Sequence, residues 1–184
     1  MKPRADNYLS LNQAILAADV PYKHVRNWID RHEVTFDADA TRREGHRRYS
    51  ELDCVRMALI SRLKRFGFEG KEASGEVEAV IRGICQDWKI QYGKRDNITI
   101  VDALRKLVVI FYLIPDRDES GFGPTPTGKR IYDHARLIKR KVKSLAKLYE
   151  PMTDIPAEAD MRLVVDVGAI VDGIYQRLEK ILKD

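Results

Sequence analysis

A short basic run, Gly45-His46-Arg47-Arg48-Tyr49-Ser50, lies between two stretches whose apolar residues recur at helical spacing. Upstream, residues 9–34 are predicted to form a helix, a tight turn at Asp19-Val20-Pro21 and a second helix. Downstream, residues 51–66 carry an apolar stripe with steps of three and four residues, which predicts a third helix. Such a chain must pack the three apolar stripes together while its basic run stays at the surface.

Residues that stabilise helix termini mark the ends of these three helices. Ser10 and Ser50 are suited to N-caps, because a serine hydroxyl can accept a hydrogen bond from a free first-turn amide. Asp53 supports the second of these caps, and Pro21 is suited to the first position of the second helix. Gly67-Phe68 suits a left-handed C-cap with an aromatic ring packing back. The order of helix, turn, helix, basic hairpin and helix is that of a winged helix-turn-helix.

The second helix carries polar residues that can donate hydrogen bonds to DNA. Asparagine can pair with adenine, and arginine with guanine or a phosphate. The predicted DNA contacts on this helix are Tyr22, Lys23, His24, Arg26 and Asn27. Taken alone, this face could equally be a solvated helix surface.

The basic run supplies further arginines at the position of a wing. We predict two short strands or a loose hairpin around residues 37–44, with predicted DNA contacts at Arg42, Arg43, Arg47 and Arg48. Arginines on such a hairpin can reach backbone phosphates or the minor groove. Binding of this kind would depend strongly on salt, because each phosphate contact releases condensed counterions.

Residues 9–68 resemble the DNA-binding domain of the MerR family, whose superfamily also includes excisionase-like proteins. The resemblance rests on Val20-Pro21-Tyr22 at the turn, Val25-Arg26-Asn27-Trp28 in the second helix, Gly45–Ser50 in the wing and Leu63–Phe68 at the end of the third helix. It implies that the arginine of the second helix and the first wing arginine, Arg47, lie at the phosphate backbone. It also implies that the wing tyrosine anchors the wing on the core.

The chain departs from that family in ways that limit the inferred function. Asn27 and Trp28 replace the two tyrosines of the family's helix motif. The only cysteines, Cys54 and Cys85, are far apart and are expected to be buried, whereas family members that sense metals or oxidants carry clustered cysteines. We therefore predict no metal site, no cofactor and no metal or redox sensing.

Composition is consistent with a DNA-binding protein but does not require one. The 184 residues carry a net charge of +5, which permits nucleic-acid binding. The N-terminus lacks the apolar core of a signal peptide, and the longest apolar run, residues 107–115, is too short to span a bilayer. These features predict a cytoplasmic protein of a bacterial or phage-infected cell, associated with the nucleoid and not with a membrane.

The predicted fold class is mainly α, with a winged helix-turn-helix at residues 1–70 and a helical oligomerisation region at residues 71–184. Helices are expected at residues 71–88, 129–149 and 157–182, and residues 98–114 could be helix, strand or both. The last helix carries a heptad seam that could pack inside the monomer or pair with a second chain in a homodimer. Residues 71–88 are the alternative dimer helix. The seam consists of Val164, Val167, Val171, Ile174, Leu178 and Ile181.

The predicted helix at residues 129–149 has one apolar and one strongly cationic face. The cationic face could be a solubilising surface or a second DNA contact, formed by Arg136, Lys139, Arg140 and Lys143.

No arrangement of residues indicates an enzyme. The four histidines have no spaced partners of a catalytic triad, and the phosphate-loop-like run at residues 123–129 is followed by Arg130 where a hydroxyl is needed. We expect a transcriptional regulator that binds an operator on double-stranded DNA as a dimer, in the manner of a phage or mobile-element repressor. The alternatives are a phage small terminase subunit, an excisionase-like architectural protein and a module that binds acidic proteins.

Overall fold

A computed structural model describes residues 8–34, 36, 48–87, 97–115, 135–144 and 161–183. The described part is mainly helical, which confirms the predicted fold class, and it also contains a three-stranded sheet. The elements are α1 (Leu11–Ala18), α2 (Tyr22–Asp30), α3 (Glu51–Arg65), α4 (Gly70–Asp87), α5 (Asn97–Leu104), β1 (Leu107–Pro115), β2 (Ala135–Ser144), β3 (Met161–Asp166) and α6 (Val167–Ile181).

The chain divides into two compact units. The first consists of Met1–Lys106 together with Val167–Asp184, and the second of Leu107–Asp166. The boundary predicted near residue 70 falls inside the first unit, between α3 and α4. The assignment of DNA binding to residues 1–70 and of oligomerisation to residues 71–184 remains a prediction.

Both predicted serine caps are present as reciprocal capping boxes. The Ser10 hydroxyl accepts from the Gln13 amide at 3.3 Å, and the Ser10 amide donates to Gln13 Oε1 at 2.9 Å. At α3, the Asp53 amide donates to Ser50 Oγ at 3.1 Å, and Asp53 Oδ2 accepts from the Ser50 amide at 3.0 Å. The helix α2 begins one residue later than predicted, with Pro21 at the N-cap.

The end of α3 also follows the prediction. Gly67 adopts a φ of 96°, which an L side chain rarely tolerates, and its amide donates to the Lys64 carbonyl at 3.1 Å. The Phe68 amide donates to the Leu63 carbonyl at 3.3 Å, and the Phe68 side chain is buried. The α3 helix therefore stops sharply, and α4 starts three residues after Gly67.

The core of the first unit is built around α3, against which α1, α4, α5 and α6 pack. A buried ion-pair network joins α3 to α4: Arg56 contacts Asp53 at 3.0 Å and Glu78 at 2.6 Å. The Arg56 side chain is 2% exposed and that of Asp53 is fully buried. Removing one partner of such a network leaves a buried charge without compensation, so the network favours a single arrangement of the two helices.

The heptad seam of α6 packs within the chain, which is one of the two predicted alternatives. Val167, Val171, Ile174 and Leu178 are buried, and α6 lies against α1, α3 and α5. Val164, the first predicted seam residue, lies in β3 and is 52% exposed. The prediction of a helix is therefore wrong for residues 161–166, while residues 157–160 lie outside the described residues.

Polar contacts also join α6 to α1 and α3. Arg177 Nε donates to the Ala17 carbonyl at 2.7 Å, at the C-terminal end of α1. The Tyr175 hydroxyl donates to the Glu51 carboxylate in the first turn of α3. The C-terminal helix is thus an integral part of the first unit.

The second unit contains an antiparallel sheet in the order β2-β1-β3. The prediction of a helix over residues 129–149 is wrong for residues 135–144, which form β2, and its remaining residues lie outside the described part of the chain. Residues 98–114 form both a helix and a strand, as one of the predicted alternatives has it. The apolar, β-branched residues of β1 favour a central strand, and pairing with it supplies backbone hydrogen bonds to both neighbours. Pairing with β1 therefore overrides the helical pattern of residues 135–144.

Candidate nucleic-acid interface

The helix α2 divides its residues between the core and the surface as the sequence predicts. Val25 and Trp28 are buried, at 0% and 3% exposure, and fix the inner face of the helix. The residues predicted to contact DNA from this helix are all exposed: Tyr22, Lys23, His24, Arg26 and Asn27. The structure therefore brings these five residues to one exposed helix.

Arg26 has a neighbour that a phosphate could replace. Its Nε lies 3.5 Å from Asp30 Oδ2, one turn along the helix, and both side chains are more than half exposed. An exposed ion pair of this kind contributes roughly 0–1 kcal/mol. The Arg26 guanidinium can therefore change partners at little cost.

The base of the predicted wing is held by Tyr49. Its side chain is 2% exposed and packs edge-on against Phe36, with ring centroids 5.3 Å apart. Its backbone forms an antiparallel bridge with Leu9, through hydrogen bonds of 2.8 and 2.9 Å. Arg48, immediately before it, is half-buried. Tyr49 is thus joined to Leu9, two residues before α1, as expected for an anchoring tyrosine.

The remaining wing residues lie outside the part of the chain that the structure describes. These are Arg42, Arg43 and Arg47, together with the hairpin predicted around residues 37–44.

A cationic groove lies between α2 and the C-terminal half of α3. Its volume is about 300 Å³. Two residues of the predicted site, His24 and Asn27, line it, so the exposed face of α2 continues into this concave surface. The other lining residues are Pro21, Trp28, Arg31, Glu33, Ser61, Lys64 and Arg65.

The sequence analysis missed the contribution of α3 and of the turn after α2 to this groove. Lys64 and Arg65 were visible only as part of the end of a helix, and Arg31 only as a polar residue of α2. Only the tertiary structure brings these three cations to one groove. The basic last turn of α3 was the available signal.

The second predicted DNA contact rested on a helical face that does not exist. In β2 the residues Lys139, Arg140 and Lys143 pair in register with Tyr112, Phe111 and Val108 of β1, and Arg136 pairs with Ile114. These four residues therefore belong to a strand, and the helix on which the second contact was predicted is not formed at residues 135–144.

Both cysteines are buried and unpaired, as predicted. Burial raises the pKa of the Cys54 thiol well above its usual value, and the neighbouring carboxylates of Asp53 and Glu51 raise it further. Burial also raises the pKa of Cys85. The thiols are therefore neutral at physiological pH. Among the described residues, no His, Cys, Asp and Glu side chains are grouped so as to hold a metal ion.

Within the same described ranges, none of the helices has the length and apolarity needed to cross a membrane.

Comparison with known proteins supports the N-terminal resemblance. No match was found among curated proteins. Residues 9–79 match the family model described as MerR HTH family regulatory protein, a stretch that includes α1 to α3 and the first half of α4. The N-terminal portion of this chain is therefore a MerR-like helix-turn-helix, which indicates DNA binding in transcriptional regulation.

Proposed function

We propose that this protein is a sequence-specific regulator that binds an operator on double-stranded DNA through α2, the basic wing and the groove beside α2. The observation that carries the proposal is the exposed polar face of α2, which continues into a groove lined by Arg31, Lys64 and Arg65. A recognition helix needs side chains for base edges and flanking cations for phosphates, and this surface offers both.

The roles of the side chains follow from their chemistry. Asn27 would read an adenine edge in the major groove, because its amide offers both a donor and an acceptor. Arg26, Lys23 and the groove cations would bind phosphates, which positions the helix without reading sequence. The wing arginines would extend the backbone contacts, from a base fixed by Tyr49.

Dimerisation and location belong to the same proposal. Two copies would place two α2 helices in successive major grooves, which matches a two-fold symmetric operator. Because the apolar seam of α6 is buried within the chain, that helix is a poor candidate for the dimer interface. Such a protein would act in the cytoplasm, on the nucleoid of a bacterial or phage-infected cell. A second backbone contact would come from four residues of β2: Arg136, Lys139, Arg140 and Lys143.

The proposal predicts different effects for base-reading and phosphate-binding residues. Asn27→Ala should relax the choice of base at one position, costing about 1–3 kcal/mol on the preferred sequence and little on others. The paired change Arg47→Ala with Arg48→Ala should weaken binding to all sequences and flatten its salt dependence. Selection from a random duplex pool, followed by titrations at several salt concentrations, measures both effects.

Four results would contradict the proposal or favour one of the alternatives. A uniform loss of affinity in Asn27→Ala would contradict its base-reading role. A wild-type protein without salt-sensitive duplex binding would contradict DNA binding itself and favour a module that meets acidic proteins. Ring-shaped or octameric species in solution would favour a phage terminase subunit. Strong bending without operator preference would favour an excisionase-like architectural protein.

A further inference from the structure

One carboxylate lies inside the cationic groove. Glu33 Oε2 lies 3.8 Å from Lys64 Nζ, and Glu33 Oε1 lies 3.8 Å from Arg31 Nη1. The Glu33 side chain is only 18% exposed, whereas that of Arg31 is 73% exposed. An acid with this burial lies against its cations within the groove and does not extend into solvent.

The backbone holds Glu33 in place. His32, directly before it, adopts a left-handed φ of 52°, a conformation uncommon for any residue other than glycine. The Glu33 amide donates to the Trp28 carbonyl at 2.9 Å and closes the end of α2. This turn directs the chain so that the Glu33 side chain enters the groove.

The far wall of the Glu33 site is Gly70, the first residue of α4. A Cβ atom at Gly70 would lie 1.9 Å from Glu33 Oε2 and 2.6 Å from its Cδ, so any larger residue would displace the carboxyl group. Gly70 is itself buried. The Glu33 carboxylate thus occupies a space between the end of α2, α3 and the start of α4.

The distances indicate that the carboxylate is near its cations without binding them tightly. At 3.8 Å the oxygen–nitrogen separations exceed those of hydrogen bonds, and ion pairs that reach solvent are weak. A DNA phosphate that entered the groove would need the same two cations. The carboxylate and the phosphate would also repel each other.

We propose that Glu33 sets the affinity of the protein for DNA, as an internal anion that competes with a backbone phosphate for Lys64 and Arg31. Binding then exchanges two weak ion pairs for phosphate contacts and leaves the Glu33 carboxylate beside a second negative charge. The intrinsic affinity for any duplex is thereby lowered, and a larger share of the discrimination falls to the base-reading face of α2. This inference rests on the proposed function.

The test compares Glu33→Gln with wild type on the preferred duplex and on an unrelated duplex. Glutamine keeps the shape and polar character of the side chain but lacks its charge. We expect Glu33→Gln to bind both duplexes about two- to fivefold more tightly. We also expect its salt dependence to steepen, by up to about 0.9 in the log–log slope for one fully engaged additional phosphate contact.

Two further variants isolate the mechanism. Glu179→Gln makes the same change in net charge on α6, and its affinity should change less than that of Glu33→Gln. Lys64→Gln removes the shared cation and should weaken binding and reduce the salt slope. If Glu33 acts through Lys64, Glu33→Gln should gain less affinity in the Lys64→Gln background than in wild type.

The outcomes separate this inference from the proposed function. If wild type binds no duplex, the proposed function fails. If wild type binds but Glu33→Gln binds equally or more weakly with an unchanged melting temperature, the competing role is wrong. A lowered melting temperature together with weaker binding would instead assign Glu33 a tethering role and overturn the inference. If Glu33→Gln and Glu179→Gln gained the same DNA affinity, the gain would come from net charge alone and the inference would be wrong.

Discussion

Glu51 is an acid that the fold places in a partly buried position at the first turn of α3. Burial raises its pKa, and the hydrogen bond from Tyr175 and the charge of Arg105 offset this only in part. The folded state therefore holds the Glu51 proton to higher pH than the unfolded state. Stability contributed by the protonated form is present below the usual carboxyl pKa and is lost as pH rises through the raised value.

We predict that Glu51→Gln removes this pH dependence. The amide oxygen can still accept from the Tyr175 hydroxyl, but no charge has to be buried. As pH rises through the usual carboxyl pKa and then through the raised pKa of Glu51, the free energy of unfolding of Glu51→Gln should rise relative to that of wild type. Urea unfolding across this range measures it, with exposed Glu72→Gln as the control. If the difference in unfolding free energy between Glu51→Gln and wild type stayed constant with pH, the prediction would be wrong.

Among the elements, α6 carries an apolar seam that could stabilise one chain or join two. Its apolar seam is buried against α1, α3 and α5, so it stabilises the unit that carries α2. Had the same seam paired with a second chain, it would have been the dimer interface. A seam within one chain and a seam between two chains differ in how a cavity changes the free energy of unfolding.

Ile174→Ala should destabilise the protein by about 2–5 kcal/mol, because Ile174 is 1% exposed and its removal leaves a cavity. The loss should be the same at every protein concentration, since the contacts lie within one chain. Chemical unfolding at several concentrations measures it, and exposed Gln176→Ala should change stability by less than about 0.5 kcal/mol. Normal monomer stability with loss of a dimer would show that the seam pairs between chains.

At the scale of the whole molecule, the second unit is an insertion between α5 and α6. The strands β1 and β3 are antiparallel neighbours, with Val109 opposite Val165. Paired residues of antiparallel strands lie about 4.5–5.5 Å apart. The chain therefore enters and leaves the second unit at adjacent points.

We predict that residues 110–164 can be replaced by Asn-Gly, which suits a two-residue hairpin turn between Val109 and Val165. The shortened protein should keep its helices and unfold cooperatively, because α1 to α6 all belong to the first unit. Circular dichroism and thermal unfolding test this, with a Gly-Ser linker of matched length as the control. A shortened protein without cooperative unfolding would show that the first unit needs the second to fold.

The sequence by itself determined the local features of the N-terminal region. Serine caps, Gly67 and helical spacing act within a few residues, so α1, α2, α3 and the exposed face of α2 could be predicted from them. The MerR-like pattern extended that prediction to function. The wing arginines stay a prediction, since only Arg48 among them lies in the described residues.

Only the tertiary structure decided the rest, because those features depend on residues far apart in the chain. Residues 135–144 became a strand because β1 offers a partner, although their own pattern also fits a helix. The seam of α6 packs against α1 and α3 of the same chain, and not against the helices of a second chain. The groove brings Lys64 of α3 together with Arg31 and Glu33 from the turn after α2, and no spacing along the sequence predicts this.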